Sequence, residues 1–421
     1  PCAIKGATYT ARTTMPIAVD KIRYSGEPVA IVLAESRYIA EDACDLIEVD
    51  VEPLEAVCDL EKALEPESIL VHDDTTSNEA GHVIQQRGDY TSAAAKADFV
   101  IRKKFHINRV AGAAMENRGM VVEWDEHAKQ MTIWCGTQSV IALRNQTAAR
   151  LGLFESQVRV ITPNTGGGFG PKINTSLPDD VLITYLAMKL KRPIKWVEDR
   201  RENFLAKTSE RDKVHFCEIA FNKDGTVLGF KDVFLHNTGA YNPYMMTVPL
   251  NTQTHTISNY HIPNFYTEFR VVFTNQMIVT PVRGAGRQYG VFVMERMMDA
   301  AAKKLNMDPV EIRRKNLVLP HEFPYYSNII GQDFVEGVLD SGDYPSALDK
   351  AVEMIEYEKF RKEIQPKLRA EGKHVGIGIV CFTEGTGVGP YEGAKVTVGQ
   401  NGKVTAATGY TSQGQGHYTS F

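Results

Sequence analysis

Residues 164–176 read NTGGGFGPKINTS, and they follow directly on the strand-like run VRVITP (158–163). Glycine loses more backbone freedom on folding than any other residue, so this density needs a cause: positive φ, or something that comes close to the main chain. A phosphate-binding P-loop is excluded by spacing. GxxxxGK[ST] fails because Pro171 precedes Lys172 and Ile173 follows it. The helix-like stretch LPDDVLITYLAMKL (177–190) comes next. Amides exposed just before a helix favour an anionic ligand. The plain alternative is a turn that binds nothing.

Two more glycine clusters lie downstream. PVRGAGRQYG (281–290) separates the strand-like FRVVFTNQMIV from the helical period GVFVMERMMDAAAKKL. Gly284-x-Gly286-xxx-Gly290 therefore resembles a dinucleotide-binding loop, although the GxGxxG spacing is missed by one residue. Arg283 and Arg287 inside it point to an anion held by guanidinium forks, the plain alternative being surface arginines. SQGQGHYTS (412–420) ends a hairpin strand, and Gln415 is wedged between Gly414 and Gly416. A carboxamide there offers both a donor and an acceptor to a polar heterocycle. Gln138 in CGTQS, between a strand and a helix, reads either as a ligand contact or as a helix cap. His417 stands without a second histidine at ligand spacing and reads as structural.

Around these clusters the chain is ordinary in composition. Of its 421 residues 43% are hydrophobic and 24% charged, with a net charge of −5, which excludes the basic face of a nucleic-acid binder. No apolar run reaches the ~18 residues of a membrane span. The six cysteines are scattered, with no CxxC, and read as reduced thiols in a cytoplasmic protein that offers no four-cysteine cluster site. No Ser/His/Asp set, HExxH or calcium loop appears. Cradles without an acid, a base or a metal ligand point to a large bound cofactor that carries the chemistry.

Periodicity places these motifs on a mixed α+β frame. Residues 27–57 predict a strand at Val29–Leu33, a helix through Ile39, Ala43 and Leu46, and a strand over Ile47, Val49 and Val51. Residues 60–99 are polar and patternless, and read as a linker or long loop. Hairpins are expected at 119–137, 214–235 and 394–410, with Asp224-Gly225 and Asn401-Gly402 turning the last two. A helix over 290–305 should bury Met294, Met298, Ala301 and Leu305. Another opens at Asp308-Pro309, with Glu311 completing a capping box. The charge run EDRREN (198–203) reads as structural.

The motifs GTQ, GGGFG, RGAGR and GQGH, in this order, resemble the molybdenum hydroxylases: the xanthine dehydrogenase, aldehyde oxidase and carbon monoxide dehydrogenase family. DKIRYSGEPVAIVLAES, KWVEDRRENF, NTGAY and DPVEIRRKNL extend the likeness over essentially the whole chain. The RGAGR loop looks most like the carbon-monoxide-dehydrogenase-like form II branch. The resemblance implies a partial a/b hammerhead domain (1–64), a linker (65–99) and the first part of a molybdopterin-binding domain (100–421). It implies that Gln138 lies beside the metal's oxo ligands, and that Gly167, Gly168, Phe169 and Gly170 face the cofactor. Arg283 and Gly284 would lie at molybdenum, with Gly414, Gln415 and Gly416 along the pterin. No side chain here would bind the metal directly, since the pterin holds it.

The same resemblance implies molybdopterin or molybdopterin cytosine dinucleotide as cofactor, and hydroxylation of an aldehyde or aromatic N-heterocycle with oxygen from water. Electrons would leave through an iron–sulfur subunit with [2Fe-2S] clusters and an FAD subunit. Departures narrow this. Copper-dependent members carry a cysteine where this loop has Gly284, so carbon monoxide is disfavoured as substrate. Purine oxidisers place a glutamate where this chain has Ile173. The family's glutamate base belongs to a later segment, so the C-terminal molybdopterin half, in the same gene or a separate chain, is expected to supply it. From residue types alone, a pyridine-dinucleotide oxidoreductase and a non-catalytic scaffold remain open.

Overall fold

The computed structural model describes residues 4–173, 177–385 and 393–420. In chain order the first strands are β1 (Thr8–Tyr9), β2 (Glu79–Arg87), β3 (Phe99–Ile107), β4 (Val110–Ala111), β5 (Gly119–Asp125), β6 (Gln130–Cys135), β7 (Val158–Ile161) and β8 (Ile194–Val197). Then come β9 (Ser209–Glu210), β10 (Lys213–Phe221), β11 (Val227–Gly239), β12 (Phe265–Phe273), β13 (Tyr325–Ile330), β14 (Glu336–Leu339), β15 (Ala394–Val398) and β16 (Val404–Thr408). The helices used below are α1 (Arg37–Asp45), α2 (Tyr90–Lys96), α3 (Val140–Leu151), α4 (Pro178–Leu190), α5 (Arg200–Leu205), α6 (Thr247–Thr256), α7 (Arg287–Leu305) and α8 (Pro309–Asn316).

The larger sheet runs β1-β2-β12-β11-β10-β3, antiparallel except for the parallel pair β11–β12. Alternation along β10 sends Cys217, Ile219 and Phe221 to one face, where Val293, Met294, Met297, Met298, Ala301 and Ala302 of α7 close the core over them. The expected face of that helix is the buried one, with Leu305 at its half-buried end. The smaller sheet, β7-β6-β5-β8, packs Val122, Met131 and Ile133 against Leu143 of α3 and Ile183 of α4. The three hairpins form where the sequence places them, with φ +87° at Gly225 and +77° at Gly402.

Three readings are corrected. Within 27–57 only α1 forms, and Val29–Leu33 and Ile47–Val51 pair with no strand among the described residues. Apolar alternation supplies a face, but a ladder needs a neighbour. Within 65–99 the expected loop contains β2, which sits between β1 and β12, followed by α2. Its inward set, Ala80, Gly81, Val83 and Gln85, hides a polar member. Gln85 is buried because Gln253 and the Ile330 backbone satisfy its amide. Finally, Asp308 caps α8 through the Val310 amide at 2.7 Å, but Glu311 pairs with Arg314 instead of closing the box.

Candidate functional site

The first two glycine clusters come together at one seam. The Arg283 amide donates to the Phe169 carbonyl at 2.9 Å, tying the arginine loop to the glycine loop. The Gly170 amide donates to Gln138 Oε1 at 2.8 Å, and the Gln138 amide to the Lys172 carbonyl at 3.0 Å. Gln138 therefore does not cap α3: Ser139 occupies the cap position, and the carboxamide braces the loop.

Much of the glycine density is explained by the chain itself. A Cβ on Gly166 would lie 2.7 Å from Cβ of Glu116, and one on Gly168 2.7 Å from the Gln138 carboxamide. Gly167 and Gly170 have φ of +97° and +105°, and a Cβ on Gly170 would meet the Pro281 carbonyl at 2.0 Å. Phe169 itself takes φ +57° and stays half-exposed. What the chain leaves unused is a set of donors. The amides of Gly167, Gly168 and Phe169, and the Arg283 guanidinium, have no hydrogen-bond partner among the described residues. Neighbouring unspent N–H groups suit an oxygen-rich, anionic ligand.

Two residues that sequence reasoning passed over hold this loop. Glu116 Oε2 accepts from the Gly166 amide at 2.7 Å and from Lys172 Nζ at 3.0 Å, while the Glu116 amide donates to the Gly166 carbonyl at 3.0 Å. Lys172 is buried, so its ammonium depends on that carboxylate. The available signal was a lone carboxylate in the small-residue turn AGAAMENRG. Behind the loop, Arg118 bridges Asp179 at 2.8 Å and Glu198 at 3.0 Å, and Asn203 completes Glu198 at 2.6 Å. The charge run at 198–203 is thus structural through its buried ends, Glu198 and Asn203, while Asp199, Arg201 and Glu202 are exposed. Burial, then the neighbouring Asp179, pushes Asp180 up to about 7. Lys207 donates to the Gly112 carbonyl at 3.3 Å, and burial pushes its pKa down to about 8.

Next to the third cluster, Thr411 Oγ1 donates to the Thr137 carbonyl at 3.0 Å. Gly414 and Gly416 have φ of +108° and +77°, with open space where a Cβ would stand. Gln415 turns onto Gln413, accepting its amide at 2.6 Å, and His417 lies edge-on to Tyr410. The dinucleotide resemblance of the arginine loop has a different cause. A Cβ on Gly290 would strike the Thr252 carbonyl at 2.5 Å, so this glycine serves the α6–α7 crossing. A buried trio of His215, Cys217 and Asp232 lies under α7. Asp232 accepts from both of its neighbours, at 2.9 and 3.4 Å, while the buried Nε2 of His215 has no partner among the described residues.

The chain and its fold resemble those of known proteins. Residues 71–317 and 350–421 match the molybdopterin cofactor-binding domain, and residues 3–55 match the a/b hammerhead domain of aldehyde oxidase and xanthine dehydrogenase. The nicotine 6-hydroxylase large subunit of Paenarthrobacter nicotinovorans is 34% identical over 99% of this chain and 52% of its own length. The carbon monoxide dehydrogenase large chain of Afipia carboxidovorans is 31% identical over 96% of this chain and 53% of its own. The crystal structure of quinoline 2-oxidoreductase from Pseudomonas putida 86 superposes with a TM-score of 0.90 at 32% identity, covering 99% of this chain and 54% of that one. The chain spans about half the length of these relatives. Two cofactor-domain matches, the hammerhead match and the shared fold place it among the molybdopterin-binding large subunits of the molybdenum hydroxylase family.

Proposed function

We propose that the seam between the glycine and arginine loops holds the oxygen-bearing side of a molybdenum–pterin cofactor, and that the assembled protein hydroxylates an aromatic N-heterocycle. The observation that carries this reading is that three amides of the glycine loop and the Arg283 guanidinium, where the two loops are joined, have no partner among the described residues. Such donors match an anionic, oxygen-rich group and do not match an apolar ligand. When bound, molybdenum supplies transfer of a water-derived oxygen and takes up two electrons. The chain's own residues do the holding. Gln138 fixes the loop through Gly170, and its Nε2 remains available toward the ligand. Arg283 presents a planar fork to two oxygens, geometry that a lysine lacks.

Nicotine and quinoline, named in two of the relatives, are both aromatic N-heterocycles, which favours that class over aldehydes. Gly284 in place of a copper-binding cysteine speaks against carbon monoxide. The described cysteines lie apart, two exposed and three buried, so we assign electron exit to [2Fe-2S] and FAD subunits. The proton-accepting glutamate is assigned to the C-terminal molybdopterin half. The cofactor is molybdopterin or its cytosine dinucleotide, which release of cytidine monophosphate on acid hydrolysis would distinguish. The test is turnover of an N-heterocycle and aldehyde panel by the assembled protein, with metal analysis. Molybdenum together with N-heterocycle hydroxylation supports the reading; an active assembly without molybdenum refutes it.

A further inference from the structure

The loop that carries Arg283 is held from beneath by a carboxylate outside every glycine motif. We propose that Glu210 is a positioning residue, which sets the direction of Arg283 by clamping the start of α7. This rests on the reading of Arg283 as a cofactor contact.

Glu210 lies in β9, between the two halves of the seam. On one side β9 pairs with β4, Glu210 opposite Val110, and β4 leads into the Gly112–Glu116 turn behind the glycine loop. On the other side the Ser209 amide donates to the Ile278 carbonyl, and the Thr280 amide to Ser209, both at 2.9 Å, just before the arginine loop. The carboxylate is fully buried. Its Oε2 accepts from the Tyr289 hydroxyl at 2.6 Å, from Arg211 Nη1 at 2.6 Å and from Gln288 Nε2 at 3.4 Å. Two of these three donors sit on the first turn of α7. Lys213, also buried, lies 4.3 Å from the centre of the Tyr289 ring and donates to Thr252. Burial pulls its pKa down to about 7, and Glu210 is the leading charge that pulls it back.

Arg283 needs such a clamp. Its guanidinium has no partner among the described residues, so its backbone alone sets its aim. That backbone runs into Gly284 and Gly286, at φ +99° and +100°, with Ala285 at +48° between them. Two glycines around one residue make a joint that depends on outside bonds, and from α6 Asn251 holds the Ala285 carbonyl at 2.8 Å and Thr252 the Gly286 carbonyl at 2.9 Å. The bonds at Gln288 and Tyr289 fix the far end of the joint, and the Arg283–Phe169 bond fixes the near end.

The test uses the assembled protein carrying Glu210→Gln, which keeps the shape and removes the charge, or Tyr289→Phe, which removes one bond. Amide hydrogen exchange, measured without cofactor, is expected to quicken about 10-fold over 281–290, the factor that goes with losing one charge-assisted hydrogen bond. Exchange over 164–173 should stay as in the parent. In the loaded protein kcat per molybdenum should fall on the order of 10²-fold, while KM moves less than about threefold. Tyr289→Phe should reproduce both changes at smaller size, and decides the matter alone where the glutamine variant does not assemble. Equal quickening in both loops, no quickening over 281–290, or unchanged turnover per molybdenum would each overturn the clamp. A parent protein without molybdenum refutes the proposed function instead, and leaves the exchange result to judge Glu210.

Discussion

Gly170→Ala should damage the site far more than Gly168→Ala, although the two glycines belong to one motif. At Gly170 two costs add. Its φ of +105° is a conformation that L-residues rarely take, which costs about 1–3 kcal/mol. The new Cβ would also lie 2.0 Å from the Pro281 carbonyl, so backbone must retreat by about 1 Å before any real contact is reached. Overpacking of this kind costs about 1–3 kcal/mol. The carbonyl belongs to the arginine loop, so the retreat pulls on the Arg283–Phe169 bond that joins the cradle. Gly168 differs in both respects. It has no positive φ, and its Cβ would meet the Gln138 side chain at 2.7 Å, which can give way by a χ rotation that strains its bond to Gly170, a cost of about 1 kcal/mol. The expected gap is therefore about 1–5 kcal/mol, or roughly 5- to 5,000-fold in cofactor retention. Molybdenum per chain after gel filtration of each assembled variant measures it. Equal retention by the two variants would refute the claim that the chain's own packing sets the glycine positions.

Arg283→Lys should lower kcat more than it raises KM, on the order of 10²-fold, because an ammonium cannot serve two oxygens at once; unchanged turnover returns Arg283 to an ordinary surface arginine. Glu116→Gln should release the buried Lys172 ammonium and cut molybdenum retention at least about 10-fold, with faster amide exchange over 164–173 and none over 281–290. Lys207→Met tests pH dependence. Lys207 has a folded pKa depressed to about 8 from 10.5, so its burial penalises the fold fully below pH 8, progressively less between 8 and 10.5, and not at all above. The methionine variant should thus be more stable near pH 7, by a gain on the order of 2 kcal/mol, and should lose that advantage as pH rises through this window; thermal melts from pH 7 to 10.5 give the slope.

The hairpins and long helices were legible because their signals are local. Asp-Gly and Asn-Gly fix their own turns, and the methionine face of α7 repeats within single turns of helix. Strand β2 was not legible, because its inward residues include Gln85, which is buried only through bonds to Gln253 and residue 330, far along the chain. The extended runs at Val29–Leu33 and Ile47–Val51 show the converse: a strong local pattern that finds no ladder among the described residues. At the site, motif order pointed to Gln138, the glycine loop and Arg283, and the structure brings those together. It could not show that Gln138 braces Gly170, nor that Glu116 and Lys172 close over Gly166. A carboxylate paired with a lysine 56 positions away carries no periodic or motif signal. Beside the third cluster Thr411 bonds the Thr137 carbonyl, and the Gln415 carboxamide is turned to Gln413.

The central claim is that the two joined loops hold a molybdenum–pterin group. Metal and pterin content of the assembled protein tests it most directly, with Gly170→Ala as the paired control. About one molybdenum per chain is expected in the parent, with a fluorescent pterin oxidation product in the same ratio and loss of both in the variant. A parent that turns over substrate with neither, or a folded variant that keeps both in full, would contradict it.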